Sequence, residues 1–181
     1  MNSEQELWRA FQEGDEDAYT GLYRQHLRAM YRYGLSLVSV SEAFVLDCIH
    51  DVFTEIWIRR ARLSVPENVR HYLLKALKTR MLHLLSRKEK AYMGFSQQEF
   101  DELWPEPSAE DLLILNEESR NRTERIGKLI DLLPHRQQEA IRLRFVENLD
   151  YGEIGEMLSV NRQSAQNLVF RALEKLRGWL Q

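Results

Sequence analysis

Four prolines punctuate 181 residues, and three of them, Pro66, Pro105 and Pro107, fall between stretches whose apolar residues recur with a helical period. No stretch alternates apolar and polar residues over the length of a strand, so the pattern predicts an all-α chain built from long helices. Hydrophobic residues make up 44% of the sequence, enough to build a core and too many for a generally disordered chain.

The run from Ala91 to Glu118 contains no Lys or Arg, carries Trp104-Pro105-Glu106-Pro107-Ser108, and breaks the apolar pattern on either side. It reads as a flexible acidic linker, 91–118, between two small helical domains, 1–90 and 119–181. In the first, Asp17 to Leu37 reads as one helix with Ala18, Leu22, Tyr23, Leu27, Met30 and Tyr31 inward. Ser39 to Glu42 offers a capping box for a second, Glu42 to Arg60. A loop, Ala61 to Glu67, leads to a third from Asn68 to about Lys88, with Leu73, Leu77, Met81 and Leu84 inward. In the second domain helices are expected at 119–133, 135–147, 150–158 and 161–178, with Pro134 ending the first and Asp150 and Glu153 capping the third.

A formal charge of −3 first argues against a nucleic-acid partner, but the charge is segregated. Residues 1–58 sum to −6, 59–90 to +8, 91–118 to −8 and 119–181 to +3. The single cysteine, Cys48, excludes an internal disulfide and two-Cys zinc or redox sites, which fits a reducing compartment. The acidic start, Met1 to Glu6, is unlike a secretory signal, and no apolar run approaches the ~18 residues of a membrane span. A cytoplasmic protein is expected, without membrane insertion.

The last two helices carry the most specific pattern. Ala165, Leu168, Val169, Ala172, Leu173 and Leu176 fall on one side of the final helix, which leaves Gln163, Asn167, Phe170, Arg171 and Glu174 opposite and Gln166 at the border. Tyr151 to Leu158, then Ser159-Val160-Asn161 with Asn161 as a cap, gives helix-turn-helix spacing, in which the second helix enters the major groove. Gln and Asn suit adenine edges, Arg suits guanine, Phe170 suits a thymine methyl, and Arg144 or Arg162 suits phosphate. The plainer alternative buries Phe170 against the rest of the protein and leaves the polar face to solvent.

On the second long helix, Asp47, Asp51, Thr54 and Ile58 share the outer side with Glu55 at its flank, a stripe suited to a basic helix of another protein, or simply a solvated face. His50 beside Asp51 resembles half of a catalytic pair, but neighbouring helix positions point about 100° apart and no nucleophile is placed, so no enzyme is expected. The third helix carries His71, Tyr72, Lys75, Lys78 and Thr79 on its outer arc, with Arg59, Arg60, Arg62, Arg70, Arg80, Arg87, Lys88 and Lys90 nearby. Cations with an interleaved ring suit single-stranded DNA, although Tyr72 could equally be a core residue at the helix edge.

In this order the pieces resemble the extracytoplasmic-function sigma factors, two-domain initiation factors of bacterial RNA polymerase. Glu13 to Tyr23 looks like the opening of the family's region 2, and Leu46 to Trp57 like its polymerase-binding helix. Leu133-Pro134, Glu139 to Phe145, Tyr151 to Gly155 and Arg171 to Arg177 follow region 4. The resemblance implies that 1–90 is region 2 and 119–181 region 4. Asp47, Asp51 and Glu55, with Thr54 and Ile58, would then dock on core RNA polymerase. The 61–68 loop and the helix after it, with Arg62, Asn68, His71, Tyr72, Lys75, Lys78 and Thr79, would capture the minus-ten element as a single strand. Arg144, Arg162, Gln163, Ser164, Gln166, Asn167, Phe170 and Arg171 would read the minus-thirty-five element as duplex. The linker would thread into the polymerase, or fold back onto the basic helix in the free protein. Core polymerase, promoter DNA and an anti-sigma factor are the implied partners, with no cofactor, metal or small-molecule substrate. A helix-turn-helix regulator that binds DNA unaided and an all-helical interaction module are the competing readings.

Overall fold

The computed structural model describes residues 3–89 and 122–180, which belong to two separate compact units. The expected linker 91–118 lies outside the described residues, as do Lys90 and the side chains of Arg87 and Lys88. Among the described residues every regular element is a helix, as the pattern of prolines predicts, and no helix is long and apolar enough to cross a membrane.

The first unit contains α1 (Ser3–Gln12), α2 (Glu16–Leu37), α3 (Glu42–Arg59), a single 3-10 turn (Arg60–Arg62) and α4 (Val69–Glu89). Helix α1 has no counterpart in the expected helices. It earns its place by burying Trp8 and Phe11 completely, about 2–3 kcal/mol of hydrophobic free energy for each ring. Gly14, at φ +96°, turns the chain between α1 and α2, and Asp15 caps α2 by accepting from the Ala18 N–H at 3.0 Å. Helix α3 begins on Ser41, whose hydroxyl accepts from the Phe44 N–H. The expected box from Ser39 to Glu42 does not form, because Glu42 is already the first helical residue.

The buried face of α2 is Ala18, Leu22, His26, Ala29, Met30, Tyr33, Gly34 and Leu37. Tyr23, Leu27 and Tyr31, expected inward, sit at its edges. The helix packs on α1, α3 and α4 together, so its buried sector is rotated toward His26 and Tyr33. His26 is wholly enclosed, with Nε2 2.9 Å from the Glu4 carboxylate of α1. Burial holds its imidazole below the ordinary range, Arg70 adds to that, and Glu4 opposes it. A histidine whose folded-state pKa is depressed contributes stability that is lost as pH falls below its unfolded value, about 6.5. The melting temperature of the chain is therefore expected to drop between pH 7 and 5, and His26→Gln is expected to flatten that slope in a pH series of thermal melts.

The second unit contains α5 (Arg122–Asp131), α6 (His135–Phe145), α7 (Tyr151–Leu158) and α8 (Arg162–Leu180). Asp150 accepts from the N–H groups of Gly152 and Glu153 while Glu153 accepts from the N–H of Asp150, the capping box expected at this position. Asn161 caps α8 through the Ser164 N–H at 2.7 Å. Ser159 turns the chain between α7 and α8 in the left-handed conformation, φ 54° and ψ 44°. The turn then presses on α7: a Cβ on Gly155 would stand 2.7 Å from the Val160 carbonyl oxygen and 3.3 Å from the Asn161 carbonyl carbon. Backbone has little room to yield, so Gly155→Ala is expected to cost about 1–3 kcal/mol in urea unfolding of this unit.

Candidate functional site

Three surfaces carry the residues singled out in the sequence. On α3, Asp47, Thr54, Glu55 and Ile58 are exposed, and Ile58 is 72% accessible. Their spacing places them along one outer stripe. Asp51 lies in the same stripe but is already engaged: its Oδ2 accepts from Arg80 Nε at 3.0 Å and Nη2 at 2.7 Å, joining α3 to α4. Glu55 pairs with Arg59 one turn on, at 3.1 Å. His50 is held by Tyr23, whose hydroxyl lies 3.0 Å from its Nε2 under stacked rings, a contact that joins α2 to α3.

The second surface joins the loop before α4 to the helix itself, and here the structure corrects several expectations. Lys78 is buried at 8% accessibility, not part of the outer arc. Four apolar residues on α4, Leu73, Leu74, Leu77 and Met81, are fully enclosed, which draws the Lys78 stem inward, and its apolar methylenes are suited to that place. Leu84, expected inward, is only half-buried. Asn68 caps α4, accepting from the His71 N–H at 3.1 Å, and Thr79 donates to the Lys75 carbonyl at 2.9 Å. Arg60 is fixed over the Trp57 ring at 4.3 Å and donates to the Trp57 carbonyl at 2.8 Å. Arg62 and Lys75 remain exposed.

Tyr72 is half-buried at the edge of α4. Its ring packs edge-on against Trp8, 5.3 Å between centroids at 79°, and it also lines a groove of about 470 Å³ between α3 and α4. Glu55, Arg59, Lys75, Thr79 and Arg80 share that groove. Burial, and then the Glu55 charge, hold the Tyr72 phenol above its ordinary range, with Arg59 opposing.

The third surface is α8. Its enclosed seam is Ala165, Val169, Ala172 and Leu176, narrower than expected: Leu168 is half-buried, and Leu173 is exposed beside a groove lined by Ile126, Leu129, Leu176 and Leu180. The seam narrows because α8 rests mainly on α6 and α7, with little of α5 against it. On the opposite side Arg162, Gln163, Gln166, Asn167, Phe170 and Arg171 are exposed and Ser164 is half-buried. Phe170 is 59% accessible, so among the described residues of its unit none covers it. Gln163 donates to the Asn167 side-chain oxygen at 3.3 Å, which limits the ways Asn167 can turn. Arg144 stands apart from this face: it donates to the Leu149 carbonyl at 2.9 Å and lies 4.9 Å over the Tyr151 ring, a brace for the turn between α6 and α7.

An exposed aromatic among amides and guanidinium groups on one face of a helix offers hydrogen-bond donors, acceptors and an apolar contact of the types that base edges in a major groove present. The sequence did not single out Gln5, Trp8 or Gln12 of α1, which bear on the second surface. Leu7, Trp8 and Phe11 at helical spacing before Gly14-Asp15 were the available signal, in a segment short enough to read as a polar terminus.

Residues 123–176 match the family model for sigma-70, region 4. The fold is similar to that of the sigma factor RpoE in complex with the anti-sigma factor NepR from Bartonella quintana, at 16% identity and a TM-score of 0.61 over 90% of this chain and 96% of that one. It is also similar to CnrH in complex with the cytosolic domain of CnrY, at 17% identity and a TM-score of 0.63 over 99% and 97% of the two chains. A comparison with curated protein sequences gives no match.

Proposed function

We propose, from the premise that residues 123–176 form a sigma-70 region 4 domain, that this chain is a sigma factor of the extracytoplasmic-function kind. It directs core RNA polymerase to a subset of promoters and assists their opening, with no chemistry of its own. The observation that carries this reading is the uncovered face of α8: Gln163, Asn167, Phe170 and Arg171 together on a helix-turn-helix whose turn is locked by Asn161, Ser159 and Gly155.

In this reading the three surfaces act in sequence. Asp47, Thr54, Glu55 and Ile58 dock on the polymerase, with Asp51 contributing through its pair with Arg80. Helix α8 enters the major groove of the minus-thirty-five element, where Asn167 and Arg171 reach base edges and Arg162 meets phosphate. Arg62, Lys75 and Tyr72 receive the minus-ten strand once it unpairs, with cations toward phosphate and the Tyr72 face toward a base, a contact worth on the order of 1–3 kcal/mol. Residues 1–90 serve as region 2 and 119–181 as region 4, and the acidic 91–118 segment joins them within the polymerase. The cytoplasm is where such a protein works. An anti-sigma factor is a fitting partner, given the complexes in which proteins of this fold are found.

The test is a gel-shift on promoter-containing fragments with and without core enzyme. Specific, salt-resistant binding is expected only when core polymerase is present, because the acidic surfaces of the free chain oppose DNA. Tight specific binding by the free chain would instead mark an autonomous regulator, and failure to associate with polymerase or DNA would mark an interaction module.

A further inference from the structure

We propose that α1 is a positioning element for single-strand capture: Gln5 and Gln12 clamp the backbone of the 63–68 loop, and Trp8 sets the Tyr72 ring beside it. The inference rests on the reading of that loop and α4 as the minus-ten surface.

The loop from Leu63 to Asn68 has no regular structure of its own, so its carbonyls need donors from elsewhere. Helix α1 supplies them. Gln12 donates its side-chain amide to the Leu63 carbonyl, and Gln5 shares its amide between the carbonyls of Pro66 and Glu67, 3.4 Å from each. One turn along the same face, Trp8 is wholly buried and edge-on to Tyr72. Residues 5, 8 and 12 lie at i, i+3 and i+7, one side of the helix, and all three touch the segment that precedes or begins α4. The helix is anchored independently of that segment: Gln25 of α2 donates to Glu4 at 3.0 Å, and Glu4 also faces His26.

Ordering an unrestrained loop residue costs conformational entropy. A loop ordered in advance spares the incoming strand that cost, so the clamp raises affinity and selectivity for the minus-ten strand without touching DNA. Side-chain amides hold three carbonyls of one short loop while the same helix holds the neighbouring aromatic, and this joint placement separates a positioning role from general packing.

The experiment compares holoenzymes made with the wild-type chain, with the double variant Gln5→Ala, Gln12→Glu, and with Gln25→Ala, transcribing a library of genomic fragments. Glu at position 12 keeps the shape of Gln and loses the donor. Transcript starts give the sequence preference at the minus-ten and minus-thirty-five positions, and permanganate reactivity of unpaired thymines reports opening. For the double variant, core affinity within twofold of wild type and an intact minus-thirty-five preference are expected, with a flattened minus-ten preference and opening reduced about tenfold. Gln25→Ala, which removes one exposed contact of α1 and leaves both the Glu4–His26 contact and the grip on the loop in place, is expected to behave as wild type. An unchanged minus-ten preference in the double variant, or an equal loss in Gln25→Ala, would overturn the positioning role. A wild-type holoenzyme that selects no promoters at all would instead overturn the reading on which the inference rests.

Discussion

Ile58→Glu is expected to remove the chain from core polymerase. An apolar side chain 72% exposed on an acidic stripe is the residue of α3 with most to gain from being covered, and apolar anchors at the centre of an interface dominate its energy. A buried carboxylate at that point adds a desolvation cost to the lost contact. The combined loss is about 2–4 kcal/mol, a weakening of roughly thirtyfold to a thousandfold, to be read by titrating labelled chain with core enzyme. The first unit is expected to melt as before, since Ile58 contributes little to its core. Asp47→Arg is expected to act in the same direction, as an exposed charge reversed against a basic partner. Asp51→Arg is a poorer probe than its sequence position suggests, because it also breaks the two hydrogen bonds that Arg80 donates to Asp51 Oδ2 and sets two cations together between α3 and α4. If Ile58→Glu binds core enzyme as tightly as wild type, the outer face of α3 is not the docking surface.

Asn167→Ala and Arg171→Ala are each expected to reduce discrimination among minus-thirty-five sequences by about 1–3 kcal/mol per lost base contact. Their effects are expected at particular base pairs, so promoters altered at those pairs respond less to the substitution than the parent promoter does. Gln163→Ala is expected to act partly through Asn167, since the two amides are bonded, and the double substitution is then less than additive. Arg144→Gln makes the contrast. Its guanidinium braces Leu149 and Tyr151, so the substitution is expected to lower the stability of the second unit rather than its sequence preference. Equal loss on every promoter for Asn167 and Arg171 would move both residues from base edges to phosphate.

The helical class was legible because prolines and caps act locally. Asp150 with Glu153, and Asn161, state where a helix begins within three residues, and the structure uses them so. The Ser39 box fails because a second serine, Ser41, stands two residues on and takes the cap itself, without a Glu three residues later. Periodicity alone failed where a helix has several neighbours: α2 is gripped from three sides, so Tyr23 and Tyr31 slide to its edge and His26 goes inside. The charge of Lys78 marks it as a surface cation in the sequence but says nothing of where its stem lies, which is inside. The exposed face of α8 was the most visible part of the candidate site, since it is one helix and needs no partner to assemble. Asp51 with Arg80, Tyr72 with Trp8, and the grip of Gln5 and Gln12 on the 63–68 loop join residues between about thirty and sixty positions apart, and no local pattern encodes a pairing of that reach.

This chain is expected to confer promoter choice on a polymerase that lacks it. The most direct measurement is transcription in vitro from a genomic fragment library by core polymerase with and without the chain, with transcript starts sequenced. The account predicts starts that appear only with the chain present and share two upstream sequence elements, one duplex-read and one opened. Starts identical with and without it, or specific DNA protection by the chain in the absence of polymerase, would contradict it.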